Sequence, residues 1–118
     1  MKKLLLAVIV SLSTISTATL AEIKVGIILG FTGPIETLTP AMRDSAKLAF
    51  AEVSDSGALL GGETITPLIG DSTCVDSDAA VAAAEMLVND GVAAIMGADC
   101  SGVTGAIATN VAVPNGVT

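Results

Sequence analysis

The 118-residue sequence contains no histidine, tryptophan or tyrosine, and it has only two phenylalanines. Without histidine, this chain cannot carry Ser-His or Cys-His catalysis, and zinc sites of the His/Cys type lack ligands. The shortage of aromatic side chains predicts a core with few bulky members. An apolar segment also begins at residues 116–118, where the sequence stops. From these two features we expect the sequence to be the first part of a longer one.

Basic residues are scarce as well. Five Lys and Arg stand against 12 Asp and Glu, which gives a formal net charge of −7. Removal of Lys2 and Lys3 with a leader segment would leave three basic and 12 acidic residues, a net charge of −9. Such acidity disfavours binding to nucleic acids and to anionic membrane surfaces. We therefore expect no nucleic-acid partner and interpret the acidity as a source of solubility.

Most catalytic motifs are missing too. Gly26, Gly30 and Gly33 follow a predicted strand, but their spacing differs from the dinucleotide-binding fingerprint. The segment around Ser101 lacks the first glycine of a nucleophile elbow, and no P-loop motif occurs. The carboxylates are scattered over polar faces, where solvation explains them. The sequence therefore predicts no catalytic residue, no metal site and no cofactor.

Residues 1–21 have the pattern of a secretory signal peptide. A basic start is followed by an unbroken apolar run, Leu4–Val10, and then by small residues that end at Ala21. The apolar run is well short of the roughly 20 residues that a membrane-spanning helix needs. We expect cleavage after Ala21, or alternatively after Ala18, and a mature protein that is exported and soluble.

The remaining sequence alternates between strand and helix patterns. Strands are predicted at Glu22–Leu29, Thr64–Ile69 and Val92–Met96. A helix is predicted after each strand, from Thr39 to Gly57, from Asp76 to Asp90 and from Ser101 to Val113. Thr39 is expected to cap the first helix and Asp76 the second. This alternation predicts an α/β fold with a doubly wound parallel sheet.

The order of the strands follows from one proline. Pro67 lies inside the second strand, and proline cannot donate to a sheet ladder, so this strand belongs at an edge. Right-handed crossovers then give the order 2-1-3. In this order, the connections leave strands 1 and 3 in opposite directions, and a ligand crevice opens outside their carboxyl ends. The loops Gly30–Leu38 and Gly97–Gly102 are expected to line that crevice.

Ser101 and Gly102 open the third predicted helix at this crevice. Free N–H groups and the helix dipole favour an anion such as a carboxylate at a helix N-terminus. Alternatively, the Ser101 hydroxyl only caps its own helix. Spacing does not decide between the two roles.

The two cysteines of the chain, Cys74 and Cys100, stand at the ends of segments that enter or leave the core. In an exported protein we expect them to form a disulfide. The bond would tether the loop that carries Ser101. A free reactive thiol is the alternative.

Four segments together resemble a known family, the branched-chain amino-acid-type substrate-binding proteins of ABC transporters. These segments are IKVGIILGFTGP after the signal peptide, AKLAFAEV, GDSTCVDSDAAVAAAEMLVNDGV and IMGADCSG. The resemblance implies the type I periplasmic binding fold, which has two lobes. Residues 22–118 would form the N-terminal part of lobe 1.

The resemblance also implies roles for single residues. Cys74 and Cys100 would form the family's disulfide, and Ser101 would bind the α-carboxylate of the ligand. Leu38 stands at the position that often carries an aromatic ligand contact, which is a departure from the family pattern. Asp99 is a second departure, because it could repel a carboxylate or meet an ammonium group.

The expected function is therefore that of an exported solute-binding receptor without enzymatic activity. It would bind amino acids or similar small polar solutes in the periplasm and deliver them to the ABC permease in the inner membrane. One alternative is a flavodoxin-like exported enzyme whose catalytic residues lie outside this sequence. Another is a sensory ligand-binding domain of the same fold.

Overall fold

A computed structural model describes residues 21–118 of the chain. Its strands are β1 (Glu22–Leu29), β2 (Thr64–Asp71) and β3 (Ala94–Gly97). Its α-helices are α1 (Thr39–Ser56), α2 (Ser77–Asn89), α3 (Ser101–Ile107) and α4 (Val113–Asn115), with a π-helical turn at Ala108–Ala112 between the last two. The predicted signal peptide lies outside the described residues except for Ala21.

The three strands form a parallel sheet in the order β2-β1-β3, as predicted. Val25 of the central strand pairs with Pro67 on one side and with Ala94 on the other. Within residues 21–118, β2 therefore lies at the edge of the sheet. The outer side of an edge strand has no neighbouring strand to bond, so the missing N–H of Pro67 costs no ladder bond there.

Helices cover both faces of the sheet. Ile28 of β1 is fully buried beneath α2 and the helical stretch that begins with α3. Its neighbours Ile27 and Leu29 are also buried and point to the opposite face, because side chains alternate along a strand. Helix α1 packs there against β1 and β2. The buried cluster on the α2 face comprises Ile28, Ala80, Ala84, Leu87, Val92, Val103, Ile107 and Val111.

Helix α2 follows its prediction closely. The Asp76 carboxylate accepts hydrogen bonds from the amides of Asp78 and Ala79, both at 3.0 Å, so it caps the helix. At the other end, Val92 donates its amide to the Leu87 carbonyl at 3.2 Å. Val92 thus completes the end of α2 and precedes the ladder, which explains why β3 begins at Ala94 and not at Val92.

The third helical stretch differs from its prediction. The sequence predicts an end at Val113, with Pro114 and Gly116 as the stop; Gly116 does end the stretch, with a φ of 64°, but Pro114 lies inside the final short helix. A regular α-helix would bring the ring of Pro114 against the carbonyl of Asn110. Asn110 lies in the π-helical turn, whose wider backbone accommodates the proline.

None of the helices within residues 21–118 is both long and apolar enough to cross a membrane.

Candidate ligand-binding crevice at the carboxyl ends of β1 and β3

Asp99 connects the three loops that leave the carboxyl ends of the strands. Gly30, directly after β1, donates its amide to Asp99 Oδ2 at 2.9 Å. Ser72, directly after β2, donates its hydroxyl to Asp99 Oδ1 at 3.4 Å. Both carboxylate oxygens therefore accept bonds from within the protein. This is a third role for Asp99, since the sequence suggested only repulsion of a carboxylate or contact with an ammonium group.

Asp71, the last residue of β2, holds the beginning of the β1–α1 loop. Its Oδ1 accepts the amides of Phe31 and Thr73, each at 2.9 Å, and that of Thr32 at 3.3 Å. Its Oδ2 accepts the Thr32 hydroxyl at 2.7 Å. Burial alone would raise the pKa of Asp71, but the hydrogen bonds from Thr32, Thr73 and Phe31 outweigh it and lower that pKa below its ordinary value.

The predicted disulfide is present. Cys74 and Cys100 are bonded, with their Cα atoms 5.2 Å apart. Thr73 and Cys74 have φ angles of 57° and 70°, a left-handed conformation that is uncommon outside glycine. The disulfide joins this unusual turn to the residue immediately before Ser101. A side chain at Gly30 would approach the Cβ of Cys74 to 3.2 Å, so the β1–α1 loop packs directly against the bond.

Thr39 does not cap α1, contrary to the prediction. Leu38 occupies the N-cap position, without a side-chain cap bond. The Thr39 hydroxyl is buried and donates instead to the carbonyls of Gly30 at 3.1 Å and Glu36 at 3.4 Å. The peptide groups around Gly30 are thereby held on both sides, since Asp99 accepts the Gly30 amide and Thr39 binds its carbonyl.

Glycine is required at two points where these loops approach other backbone. Gly33 has a φ of 94°, and a Cβ there would clash with the carbonyl oxygen of Thr73. Gly97 has a φ of 129°, and a Cβ there would clash with the carbonyl oxygen of Ile28. Both φ angles are also unfavourable for other residues. The close approach at Gly97 directs the chain from β3 into the loop that carries Asp99.

Ser101 is the first residue of α3, not its cap. The N-cap position belongs to Cys100, and no side chain within residues 21–118 caps the helix. The first bond of the helix runs from the Thr104 amide to the Cys100 carbonyl at 3.0 Å. The amides of Ser101, Gly102 and Val103 precede it and have no carbonyl of the helix to bind. Ser101 and Gly102 are solvent-exposed.

Leu38 ends the β1–α1 loop and is 62% exposed. The next residue, Thr39, donates its hydroxyl to the Gly30 carbonyl, and the Gly30 amide donates to Asp99. Leu38 and Ser101 are therefore linked through hydrogen bonds and a few backbone steps at the same end of the sheet. Whether the side chain of Leu38 or the hydroxyl of Ser101 contacts a ligand stays a prediction.

Three connecting residues, Thr39, Asp71 and Ser72, are not predicted as such from the sequence. Asp71, Ser72 and Thr73 form a polar run at the carboxyl end of the second strand, where ligands bind in open α/β sheets. That position was the available signal. Thr39 was assigned to capping because a threonine before proline fits that role equally well.

Outside the crevice, the described residues form cavities but no cluster of metal-ligating side chains. No group of three or more potential metal ligands (His, Cys, Asp or Glu) occurs in the described part of the chain. A cavity of about 150 Å³ lies along β3 and α3 and is mostly apolar. Another of about 260 Å³ lies against the end of α2. Neither is lined by Leu38, Ser101 or Gly102.

Comparison with known proteins gives a consistent set of relatives. A family model described as "Periplasmic binding protein" matches residues 22–117. The chain is 30% identical over 97 residues to the Leu/Ile/Val-binding protein BraC3 of Rhizobium johnstonii, an alignment that covers 82% of this chain and 26% of that protein.

Solved structures show the same similarity. The branched-chain amino acid transporter substrate binding protein LivJ from Streptococcus pneumoniae, in complex with isoleucine, superposes with a TM-score of 0.72 at 28% identity, over 82% of this chain and 27% of that one. The leucine binding protein LivK from Thermotoga maritima gives a TM-score of 0.68 at 27% identity, over 80% and 26%. The chain thus spans about a quarter of the length of these relatives. The family model that matches residues 22–117 shows that the chain belongs to the periplasmic binding protein family.

Proposed function

We propose that this chain belongs to an exported solute-binding receptor of an ABC importer, which binds branched-chain or similar small amino acids and delivers them to a membrane permease. The proposal assigns the ligand's α-carboxylate to Ser101 and Gly102 and a side-chain contact to Leu38. It includes removal of residues 1–21 and a periplasmic location. The relatives are binding proteins, so the comparisons do not favour the enzyme alternative.

The observation that carries this proposal is the open N-terminus of α3. The amides of Ser101 and Gly102 and the Ser101 hydroxyl are donors at an exposed surface, and no side chain of the described residues caps them. A carboxylate accepts such bonds well, because bonds to a charged partner are about twice as strong as neutral ones. The helix dipole adds a favourable interaction with a negative group.

The crevice setting supports the same conclusion. The loops after β1 and β3 are fixed to each other through the Gly30–Asp99 bond and through the packing of Gly30 on Cys74, which is bonded to Cys100. A ligand at Ser101 would therefore meet a pre-formed wall, which lowers the entropy lost on binding. LivJ of Streptococcus pneumoniae was solved with isoleucine, which makes isoleucine the natural first probe.

Amide chemical-shift mapping tests this function on the 118-residue chain. We expect L-isoleucine to shift the amide resonances of Ser101, Gly102 and Val103, because a carboxylate at α3 would accept bonds from these groups. L-Isoleucinamide has the same side chain and ammonium group but lacks the carboxylate, so it is the matched control ligand. It should leave those three resonances nearly unchanged.

Two outcomes would contradict the proposal. Equal shifts from isoleucine and isoleucinamide would place the carboxylate elsewhere. Shifts confined to the cavity along β3, around Ile95 and Thr104, would mean that the solute site lies outside the crevice.

A further inference from the structure

We infer that Asp99 is a positioning residue for the ligand crevice: it holds the β1–α1 loop at a fixed distance from the start of α3 and does not itself bind the ligand. This inference rests on the proposed function of the crevice. Asp99 lies two residues before Ser101, and its Oδ2 accepts the Gly30 amide across 69 positions of sequence. It is a direct side-chain link between the two loops that line the crevice.

The geometry explains why a carboxylate serves this position. Two groups must be bound at once, the Gly30 amide at 2.9 Å and the Ser72 hydroxyl at 3.4 Å. Ser72 is completely buried, and no buried side-chain polar atom among the described residues lacks a partner. A forked side chain with two oxygens reaches both donors. Asparagine has the same shape and keeps one bond to each group: its Oδ1 can accept the Gly30 amide, and its NH₂ can donate to the Ser72 oxygen, which reverses the direction of that bond.

The negative charge of Asp99 does not favour the binding of a carboxylate in the crevice. A negative group two residues from Ser101 opposes the binding of a carboxylate, whatever its value for holding the loops. Each of its oxygens already accepts a bond from one of the loops, so the loops set the orientation of the carboxylate before any ligand arrives. A positioning role and a charge role for Asp99 therefore predict different effects of Asp99→Asn on ligand affinity. Positioning predicts that affinity is kept, and a role for the charge predicts that it is lost.

Two variants separate these roles. Asp99→Asn keeps the shape and removes the charge, so we expect it to bind isoleucine at least as tightly as the wild type. Asp99→Ala removes both bonds, and we expect about tenfold weaker binding, the scale of losing one good hydrogen bond. Asp78→Ala is the control, because it removes one negative charge at the same end of the sheet without removing a side-chain bond to these loops.

A second measurement needs no ligand. The Gly30 amide should be protected from hydrogen exchange in the wild type and in Asp99→Asn, and it should exchange about tenfold faster in Asp99→Ala. If isoleucine fails to shift any resonance of the wild type, the proposed function is wrong, and the Gly30 exchange rates still decide whether Asp99 holds the loop.

The inference is overturned if Asp99→Asn loses affinity while its Gly30 amide stays protected, because Asp99 would then act through its charge. It is equally overturned if Asp99→Ala binds like the wild type. Should Asp99→Ala fail to fold, Asp99→Glu replaces it. That variant retains the charge but moves the carboxylate by one methylene, so positioning predicts weaker binding and a charge effect predicts unchanged binding.

Discussion

Ser101 shows how one position on a helix separates a binding role from a structural one. A serine at the N-cap stabilises its helix through a bond to an amide two or three residues later. One position further on, the hydroxyl has no such target. Ser101 occupies that second position, with Cys100 as the N-cap. Its hydroxyl therefore contributes little to the stability of α3 and is free to serve a ligand.

The first prediction concerns Ser101→Ala. We expect about tenfold or greater loss of isoleucine affinity, since one bond to a carboxylate is removed, with a change below about 0.5 kcal/mol in the free energy of unfolding. Ser77→Ala is a matched control, because Ser77 is likewise the first residue of a helix, α2, and belongs to neither crevice loop. Titration and thermal unfolding of both variants provide the test. Unchanged affinity with a lower melting temperature would show that Ser101 is a cap after all.

Asp71 gives the second prediction, which concerns pH. Its pKa is lowered in the folded protein, so the native state binds fewer protons than the unfolded state near pH 4. The stabilisation is present above the unfolded pKa of about 4 and is lost as the pH falls through the lower folded value. We therefore expect Asp71→Asn to cost about 1–2 kcal/mol at pH 7 and clearly less at pH 3.

Urea unfolding at the two pH values measures this effect. Asp55→Asn is the control, because Asp55 is an exposed residue of α1 that makes no bond to the crevice loops. A loss for Asp71→Asn that is the same at pH 3 as at pH 7 would rule out the charged form of Asp71 as the stabilising species.

At the scale of helices and strands, a local sequence signal predicted the structure correctly wherever one physical cause dominated. Pro67 placed β2 at an edge, and the Asp76 cap fixed the start of α2, because each feature has one favourable arrangement. Predictions failed where two causes competed. Thr39 could serve α1 or bond across to Gly30, and only the packed loops decide for Gly30. The Asp99 link likewise depends on residues 69 positions apart, which no local pattern reveals.

The disulfide is the element-scale feature with the largest expected effect. It closes a segment of 26 residues that contains α2 and β3. On the chain-entropy estimate, a loop of this size stabilises the folded state by about 3–4 kcal/mol. The double variant Cys74→Ser/Cys100→Ser should lose stability of that order in urea unfolding.

Mass spectrometry provides the matching check on the disulfide itself. Protein prepared without reductant should show no alkylated cysteine, and reduction should expose two. Complete alkylation without reductant would mean that Cys74 and Cys100 are free in solution.

For the whole molecule, the distribution of negative charge is more informative than its total. The chain is acidic, yet the carboxylates of Asp71, Asp76 and Asp99 at the carboxyl end of the sheet all accept bonds from backbone amides. Ser101 and Gly102, which open α3 at this end, are exposed and have no side-chain cap. These three carboxylates are therefore oriented by bonds within the protein, and the open N-terminus of α3 still offers donors to a carboxylate.

The last prediction concerns the affinity of the 118-residue chain. Binding sites for small molecules enclose about 70–90% of the ligand surface. In this structure Ser101, Gly102 and Leu38 are all exposed, and Leu38 is 62% accessible to solvent. Neither of the two cavities described above is lined by any of the three. A ligand on this one wall keeps much of its surface in water, so the gain from burying apolar area is small.

We therefore expect this chain to bind isoleucine with a dissociation constant of about 1 mM, which corresponds to about −4 kcal/mol. Chemical-shift titration reaches this range, and calorimetry would detect tighter binding. Ser101→Ala measured in parallel shows whether the weak binding occurs at the crevice. Sub-micromolar affinity would mean that residues 21–118 enclose the ligand by a rearrangement of the loops around Leu38 and Ser101, and that the open crevice is not the form that binds.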